Sequence, residues 1–159
     1  MQRLAIEADP IKGLEAARAL AMITYRSAPE FEARFGRGST RHSGRFDVEH
    51  YLRRQGEKLV TRFDAASYTA LMRSMDLHDV GDLSAAARTT AARVGDVIGV
   101  GVDSDILYRP DEVRAWVDAY DAAGAAATYR EITSLYGHDA FLIEWDQVEA
   151  ILRGNPVGR

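Results

Sequence analysis

The stretch Val94-Gly-Asp-Val-Ile-Gly-Val-Gly-Val102, which runs into Asp103-Ser-Asp105, decides the fold class. It is rich in β-branched residues and interrupted by glycines, as is typical of a buried parallel strand. Residues 110–123 then show the apolar spacing of an amphipathic helix, and residues 126–132 predict a second strand. A helix predicted over residues 139–152 completes a strand–helix–strand–helix series. This series predicts an α/β fold with a parallel sheet.

The sequence before this region has a different character, since it predicts helices only. Apolar residues recur at helical spacing in segments that begin at Ile11, Phe46, Asp64 and Asp82. Gly56 weakens the second of these helices by about 1 kcal/mol relative to alanine. Two strands alone make a marginal sheet. We therefore expect residues 1–93 to form a helical cap and residues 94–159 to be the end of a larger α/β core.

The inward face of the helix predicted over residues 110–123 is expected to carry four apolar or aromatic side chains: Val113, Trp116, Val117 and Tyr120. The glycine-rich and basic segment 36–45 is the expected mobile loop. It lacks the Walker pattern and a preceding strand, which argues against phosphate binding.

Composition excludes several classes of function. The apolar fraction of 47% is ordinary for a globular protein, and a net charge of −4 argues against nucleic acid or an anionic membrane as partner. No apolar run reaches the length of a membrane span. The absence of cysteine excludes disulfides and thiolate metal sites, and the four histidines, three of them expected at the surface (His42, His50, His78), form no metal-binding pair. We expect a cytoplasmic protein with no bound metal or cofactor.

Chemically versatile residues follow each predicted strand. Asp103 and Asp105 come after the first strand, and Gly137-His138 follows the second. A carboxylate and then a histidine, each on a loop after a strand, are the last two members of a nucleophile–histidine–acid triad in one known chain order. The alternative for His138 is a cap or a packing residue at the start of a helix, and Asp103 and Asp105 are competing acids.

Two of these segments resemble motifs of the homoserine O-acetyltransferases, in the α/β-hydrolase superfamily. Val102-Asp-Ser-Asp-Ile-Leu-Tyr-Arg-Pro110 is similar to their acid loop, and Tyr136-Gly-His-Asp-Ala-Phe-Leu142 to their histidine motif. Residues 13–27 resemble the first lid helix, and residues 46–68 and 75–79 continue the lid. The resemblance implies a partial α/β-hydrolase fold, with a helical lid in residues 1–93 and the C-terminal end of the core in residues 94–159.

The resemblance also implies roles for five residues. Asp105 matches the triad acid and His138 the base. Arg18 matches the arginine that binds the substrate carboxylate, Asp139 the group that holds the substrate ammonium, and Tyr25 lies nearby in the acceptor site. The implied substrates are L-homoserine and an acyl-CoA, with acetyl-CoA as co-substrate, and the implied assembly is a homodimer through the lid helices.

Other interpretations exist for the substrate-binding residues. The alternative for Asp139 is a carboxylate that stabilises a helix N-terminus, and the alternative for Tyr25 is a place in the core. Arg18 lies on the apolar stripe of its helix, where a solvated arginine would be unusual, and this favours a functional role.

The sequence departs from the family pattern at the nucleophile. The family carries it in a Gly-x-Ser-x-Gly turn before the lid, and none of the eight serines here has glycine two residues before it. We therefore expect no acyl transfer by this chain alone. The alternatives are another acyltransferase or esterase of the same fold, or a non-catalytic module that self-associates through apolar lid side chains: Phe31, Phe35, Tyr51, Tyr68 and Met72.

Overall fold

A computed structural model describes residues 1–38 and 44–154. Its helices are α1 (Gln2–Ala8), α2 (Pro10–Tyr25), α3 (Ala28–Arg34), α4 (Asp47–Val60), α5 (Ala65–Asp76), α6 (Leu83–Thr90), α7 (Pro110–Ala122) and α8 (Trp145–Leu152). Its strands are β1 (Val97–Val102) and β2 (Ala127–Ile132), and short 3₁₀ turns cover Ala91–Arg93 and Gly137–Leu142. His42 and half of the predicted mobile loop, residues 39–43, lie outside the described residues.

The chain divides into two compact units. The first contains Met1–Thr24 and Ala28–His78, and the second contains Tyr25–Ser27 and the chain from Asp79 onward. Helix α6 belongs to the second unit, where the Thr90 hydroxyl lies 2.8 Å from the Tyr120 hydroxyl of α7. The division therefore falls before α6, whereas composition changes only after it.

The first unit is built around apolar side chains of α1, α2 and α4. Ile6, Leu14, Ala17 and Leu59 are buried together. A cap fixes the start of α5, since the Asp64 carboxylate accepts a hydrogen bond from the Ser67 amide at 2.8 Å. Asp64 is the residue at which the sequence predicted this helix to begin.

Gly56 has a packing role that its helix propensity conceals. A β-carbon at this position would lie 2.7 Å from the Glu15 carbonyl oxygen of α2. The missing side chain lets α4 approach the backbone of α2, and this contact offsets the propensity cost of about 1 kcal/mol.

The second unit contains the sheet, in which β1 and β2 pair in parallel as predicted. The register places Val97 opposite Ala127 and Val102 opposite Ile132. Helix α7 connects the two strands and packs on them through Val117, which is 4% exposed. Gly99 allows this close approach because it has no side chain: a β-carbon there would lie 2.2 Å from a Val117 methyl group.

Two details of the sequence prediction were wrong. Trp116, expected to point inward, is 38% exposed, although its ring lies near Gly99 of β1 and contacts the Tyr120 ring at a centroid distance of 4.7 Å. The helix expected over residues 139–152 is interrupted after the 3₁₀ turn, and α8 begins only at Trp145. Glu144 leaves the helical path there, and its carboxylate accepts a hydrogen bond from the Ser134 hydroxyl at 2.7 Å.

The sheet keeps apolar side chains in contact with solvent. Ile98 is 46% and Val100 is 39% exposed on β1, whereas Val102 and Ile132 at the strand ends are buried with Ala140 and Ile151. None of the helices in residues 1–38 and 44–154 combines the length and the apolar character that a membrane crossing needs.

Candidate active site

The two loops that carry the candidate residues start side by side. Val102 and Ile132 are register partners at the ends of their strands, and in parallel sheets the loops after the carboxyl ends form the usual binding crevice. The Asp103 amide donates to the Ile132 carbonyl at 3.1 Å, which extends the pairing one step past β1. The acid loop (residues 103–108) and the histidine loop (residues 133–138) are thereby placed in contact.

Asp105 and His138 meet at this edge of the sheet. The Asp105 Oδ2 atom lies 2.9 Å from His138 Nδ1. The Asp105 carboxylate is nearly buried, with 5% of its side chain exposed, while the imidazole retains 24%. An ionised carboxylate only accepts hydrogen bonds, so Nδ1 carries the proton and Nε2 is left as the basic nitrogen.

The carboxylate is itself held in orientation. Asp105 Oδ1 accepts hydrogen bonds from the Leu107 amide at 2.8 Å and the Tyr108 amide at 3.2 Å. These local bonds leave Oδ2 directed at the imidazole. The predicted competitor Asp103 has a different contact, because its Oδ1 accepts the Ser134 amide at 3.0 Å.

Aromatic rings surround the imidazole on several sides. Tyr108 lies 5.2 Å, Tyr25 5.4 Å and Phe141 5.9 Å from it, measured between ring centroids. Tyr25 comes from the end of α2, and the residues Tyr25–Ser27 belong to the same unit as His138. The structure thus brings the sequence-predicted Tyr25 into contact with His138.

A cavity of about 380 Å³ opens beside the pair. Its walls come from both strands, α7 and both loops: Val100, Val102, Asp105, Tyr108, Val113, Ile132, His138 and Phe141. Apolar walls with a single carboxylate–imidazole pair suit a small substrate group that reacts at the imidazole.

The Asp139 carboxylate forms an ion pair with an arginine of the same chain, Arg26. Its Oδ2 atom lies 3.1 Å from Arg26 Nε, and both side chains are largely buried, with 14% of Arg26 and 17% of Asp139 exposed. The Arg26 guanidinium also lies 5.7 Å from the centre of the Tyr136 ring. Any ammonium group that binds Asp139 would have to share this carboxylate with Arg26.

Arg18 lies on α2 in the first unit, where it is half-buried, whereas the four other predicted residues belong to the second unit. Its role in binding a carboxylate stays a prediction.

Sequence reasoning missed the residues that link the two loops. The Ser104 hydroxyl donates to the Ser134 carbonyl and accepts from the Gly137 amide at 3.0 Å. Ser27 donates a hydrogen bond from its hydroxyl to the Leu135 carbonyl. Sequence reasoning gave Arg26 no role of its own. The sequence signal that could have identified these residues is their position next to predicted site residues: Ser104 directly precedes Asp105, and Arg26 directly follows Tyr25.

No protein-family model matches the chain. Among curated proteins, the homoserine O-acetyltransferase of Moorella thermoacetica is 42% identical over 156 residues, which cover 92% of this chain and 41% of the relative. The homoserine O-acetyltransferase of Thermus thermophilus is 48% identical over 143 residues, covering 89% of this chain and 35% of the relative. The chain thus spans about two fifths of the length of these relatives.

Solved structures agree on the fold. The crystal structure of homoserine O-acetyltransferase from Bacillus anthracis matches with a TM-score of 0.83 at 20% identity, covering 99% of this chain and 48% of that one. Esterase E22 matches with a TM-score of 0.75 at 15% identity over 90% of this chain and 42% of that chain.

The two strands, the loops that follow them and these structural matches define part of an α/β-hydrolase fold. Over the region that it matches, the chain is a homologue of homoserine O-acetyltransferases and corresponds to part of their length.

Proposed function

We propose that this chain supplies the acid, the base and the helical lid of a homoserine O-acetyltransferase. That enzyme would transfer an acetyl group from acetyl-CoA to the hydroxyl of L-homoserine, a step of methionine biosynthesis in the cytoplasm. The observation that carries the proposal is the 2.9 Å contact between Asp105 Oδ2 and His138 Nδ1, at the edge of a parallel sheet. The names of relatives at 39–48% identity supply the substrates.

The chemistry assigns one task to each member of the pair. With Nδ1 bonded to Asp105, His138 Nε2 can take the proton of a serine hydroxyl as it attacks the thioester, and it gives this proton to the CoA sulfur, which leaves as the acetyl-serine forms. The same nitrogen then takes the proton of the homoserine hydroxyl, which attacks the acetyl-serine, and returns it to the serine oxygen as O-acetylhomoserine is released. Asp105 stabilises the imidazolium in both half-reactions.

The nucleophilic serine would come from sequence outside this chain. None of the eight serines lies in a Gly-x-Ser-x-Gly turn. The partner of the Asp105–His138 pair would therefore be a serine on the part of the family's sequence that this chain does not match.

Recognition of homoserine needs an anion and a cation, since the amino acid is a zwitterion. We propose Arg18 for the carboxylate, Asp139 for the ammonium, and Tyr25 as a wall of the acceptor site beside His138. The Asp139–Arg26 ion pair modifies this assignment, because Asp139 would offer the substrate its second oxygen while Arg26 holds the first.

A fusion protein tests the proposal. The part of the Moorella thermoacetica relative that this chain does not match would be joined to this chain, and CoA release would be measured with acetyl-CoA and homoserine. We expect release that is lost in His138→Ala and retained in Ser74→Ala, whose hydroxyl bonds only within its own helix. A folded fusion that releases no CoA would contradict the proposal.

A second candidate function is self-association through the lid, as a homodimer or as a non-catalytic module. Some of the predicted apolar residues are in contact inside the first unit, where the rings of Phe31, Phe35 and Tyr51 pack against one another at tilted and edge-on angles. The end of α5 offers a better surface, because Met75 is 66% and Leu77 is 70% exposed. Sedimentation at several concentrations tests this: a Met75→Asp, Leu77→Asp variant should shift a dimer to monomer, and a strictly monomeric parent would exclude it.

An esterase activity is the third candidate, supported by the structural likeness to esterase E22. Arg18→Ala distinguishes it from acetyl transfer to homoserine. A hydrolase of neutral esters should keep its rate, while the transferase should lose affinity for homoserine.

A further inference from the structure

Three consecutive residues of the acid loop each bond to the histidine loop. The Asp103 carboxylate accepts the Ser134 amide at 3.0 Å. The Ser104 hydroxyl bonds to the Ser134 carbonyl and to the Gly137 amide. The Asp105 carboxylate meets the His138 ring. The carboxylate–imidazole contact is therefore the last of a series of links between the same two loops.

Ser104 is the central link. Its hydroxyl donates one hydrogen bond and accepts one, from the amide of the residue that directly precedes His138. Gly137 has a φ of +60°, and a β-carbon there would lie 2.8 Å from the Tyr25 carbonyl oxygen. The peptide before His138 is thus fixed from one side by Ser104 and confined on the other by the end of α2.

The opposite end of the histidine loop is also held. Ser134 is 8% exposed. Its amide donates a hydrogen bond to the Asp103 carboxylate, and its carbonyl accepts one from the Ser104 hydroxyl. Its hydroxyl donates to Glu144 at 2.7 Å and accepts the Tyr136 amide at 3.1 Å. Loss of the Ser104 hydroxyl would leave polar groups of this loop without their partner, and the loop would have to shift to satisfy them.

We propose that Ser104, assisted by Asp103, is a positioning residue that sets the imidazole of His138 against Asp105. The inference rests on the proposed function for its catalytic meaning, but its geometry does not depend on acyl transfer. Ser104 acts through the backbone of Gly137 and touches no reacting atom. A displacement of about 1 Å in such an arrangement costs on the order of 100-fold in rate, and we expect that loss of kcat in a Ser104→Ala fusion enzyme.

The direct test is nuclear magnetic resonance of the imidazole in the chain as it stands. A proton on Nδ1 that bonds to a carboxylate exchanges slowly and resonates far downfield, and ring ¹⁵N shifts report the tautomer. His138→Ala assigns the signal among the four histidines. We expect the parent and Ser104→Thr, which keeps a hydroxyl, to show the Nδ1 proton. Ser104→Ala should lose it while its amide spectrum remains that of a folded protein.

Three further variants make the result decisive. Asp103→Asn keeps an acceptor oxygen for the Ser134 amide and should keep the signal, whereas Asp103→Ala should broaden it. Ser74→Ala removes a hydroxyl that bonds within α5 and should change nothing. A folded Ser104→Ala protein with an unchanged Nδ1 signal would overturn the positioning role. Absence of the signal in the parent would overturn it too, because the contact that Ser104 is said to set would be missing.

These readouts separate the inference from the proposed function. An intact Nδ1 signal that depends on Ser104, in a fusion that releases no CoA, would support the positioning role and reject the transferase. CoA release by the fusion, with an Nδ1 signal that is unchanged in Ser104→Ala, would support the transferase and reject the positioning role.

Discussion

Asp105 presents one carboxylate oxygen to His138 and the other to the amides of Leu107 and Tyr108. The two oxygens therefore have different roles: Oδ1 orients the carboxylate, and Oδ2 selects the tautomer of the imidazole. The neighbouring Asp103, chemically identical, binds the Ser134 amide instead. The two acids that the sequence left in competition are separated by their partners.

This separation gives the first prediction. Asp105→Asn would place an amide group against Nδ1 and favour the wrong tautomer, so kcat of the fusion enzyme should fall about 10³–10⁴-fold. Asp103→Asn keeps the acceptor for Ser134 and should cost less than 10-fold, which corresponds to about 1.4 kcal/mol. Steady-state CoA release by the two variants checks the assignment. Equal losses would contradict it.

Gly137 should be intolerant of a side chain. Its φ of +60° disfavours other residues, and a β-carbon would meet the Tyr25 carbonyl oxygen at 2.8 Å and the Ser27 amide at 3.0 Å. We expect Gly137→Ala to lower the free energy of unfolding by about 1–3 kcal/mol. Urea denaturation measures this, with Gly95→Ala as control, since a β-carbon at Gly95 meets nothing within 4 Å.

The Arg26–Asp139 pair should be coupled energetically. The two side chains are 14% and 17% exposed, so removing one leaves a poorly solvated charge. Arg26→Met and Asp139→Asn should each destabilise the fold, and the double variant should recover part of the loss. A double-mutant cycle should give a coupling of about 1–3 kcal/mol. Strict additivity of the two changes would show that the two side chains do not stabilise each other.

Tyr129 should make the fold sensitive to alkali. Burial and the hydrogen bond to Glu131 raise the pKa of Tyr129 to about 12 from 10.0. The folded state holds this proton more tightly than the unfolded state, so the contribution is fully present below pH 10 and is lost as the pH rises through about 12. Denaturation from pH 9 to 12 should show a steeper loss of stability in the parent than in Tyr129→Phe. Parallel curves would contradict the shift.

Local patterns were enough to predict the strands, the caps and the residues that form the carboxylate–imidazole pair. Buried parallel strands have a characteristic β-branched composition, which identified β1 and β2. Once β1 and β2 pair in parallel, the loops that follow them lie side by side. The resemblance to a known family then selected Asp105 over Asp103. Strand composition and the family motif are both local features, since each is contained within a few consecutive residues.

The parts that could not be predicted depend on contacts between distant residues. The break before α8 follows from Glu144 bonding to Ser134, ten residues away. Gly56 looked like a weak point of α4 until the backbone of Glu15 was found against it. The ion pair of Arg26 with Asp139 joins segments more than a hundred residues apart. No periodicity in the sequence carries such information.

The fate of the acetyl group in the fusion enzyme tests the central claim most directly. Acetyl-CoA would be supplied with and without homoserine, and CoA, acetate and O-acetylhomoserine would be measured together. We predict that CoA release beyond the one equivalent per enzyme that accompanies acetyl-serine formation requires homoserine and equals the O-acetylhomoserine formed, with His138→Ala inactive. CoA release at the same rate without homoserine, with acetate as the only acetyl product, would contradict the claim and identify a hydrolase.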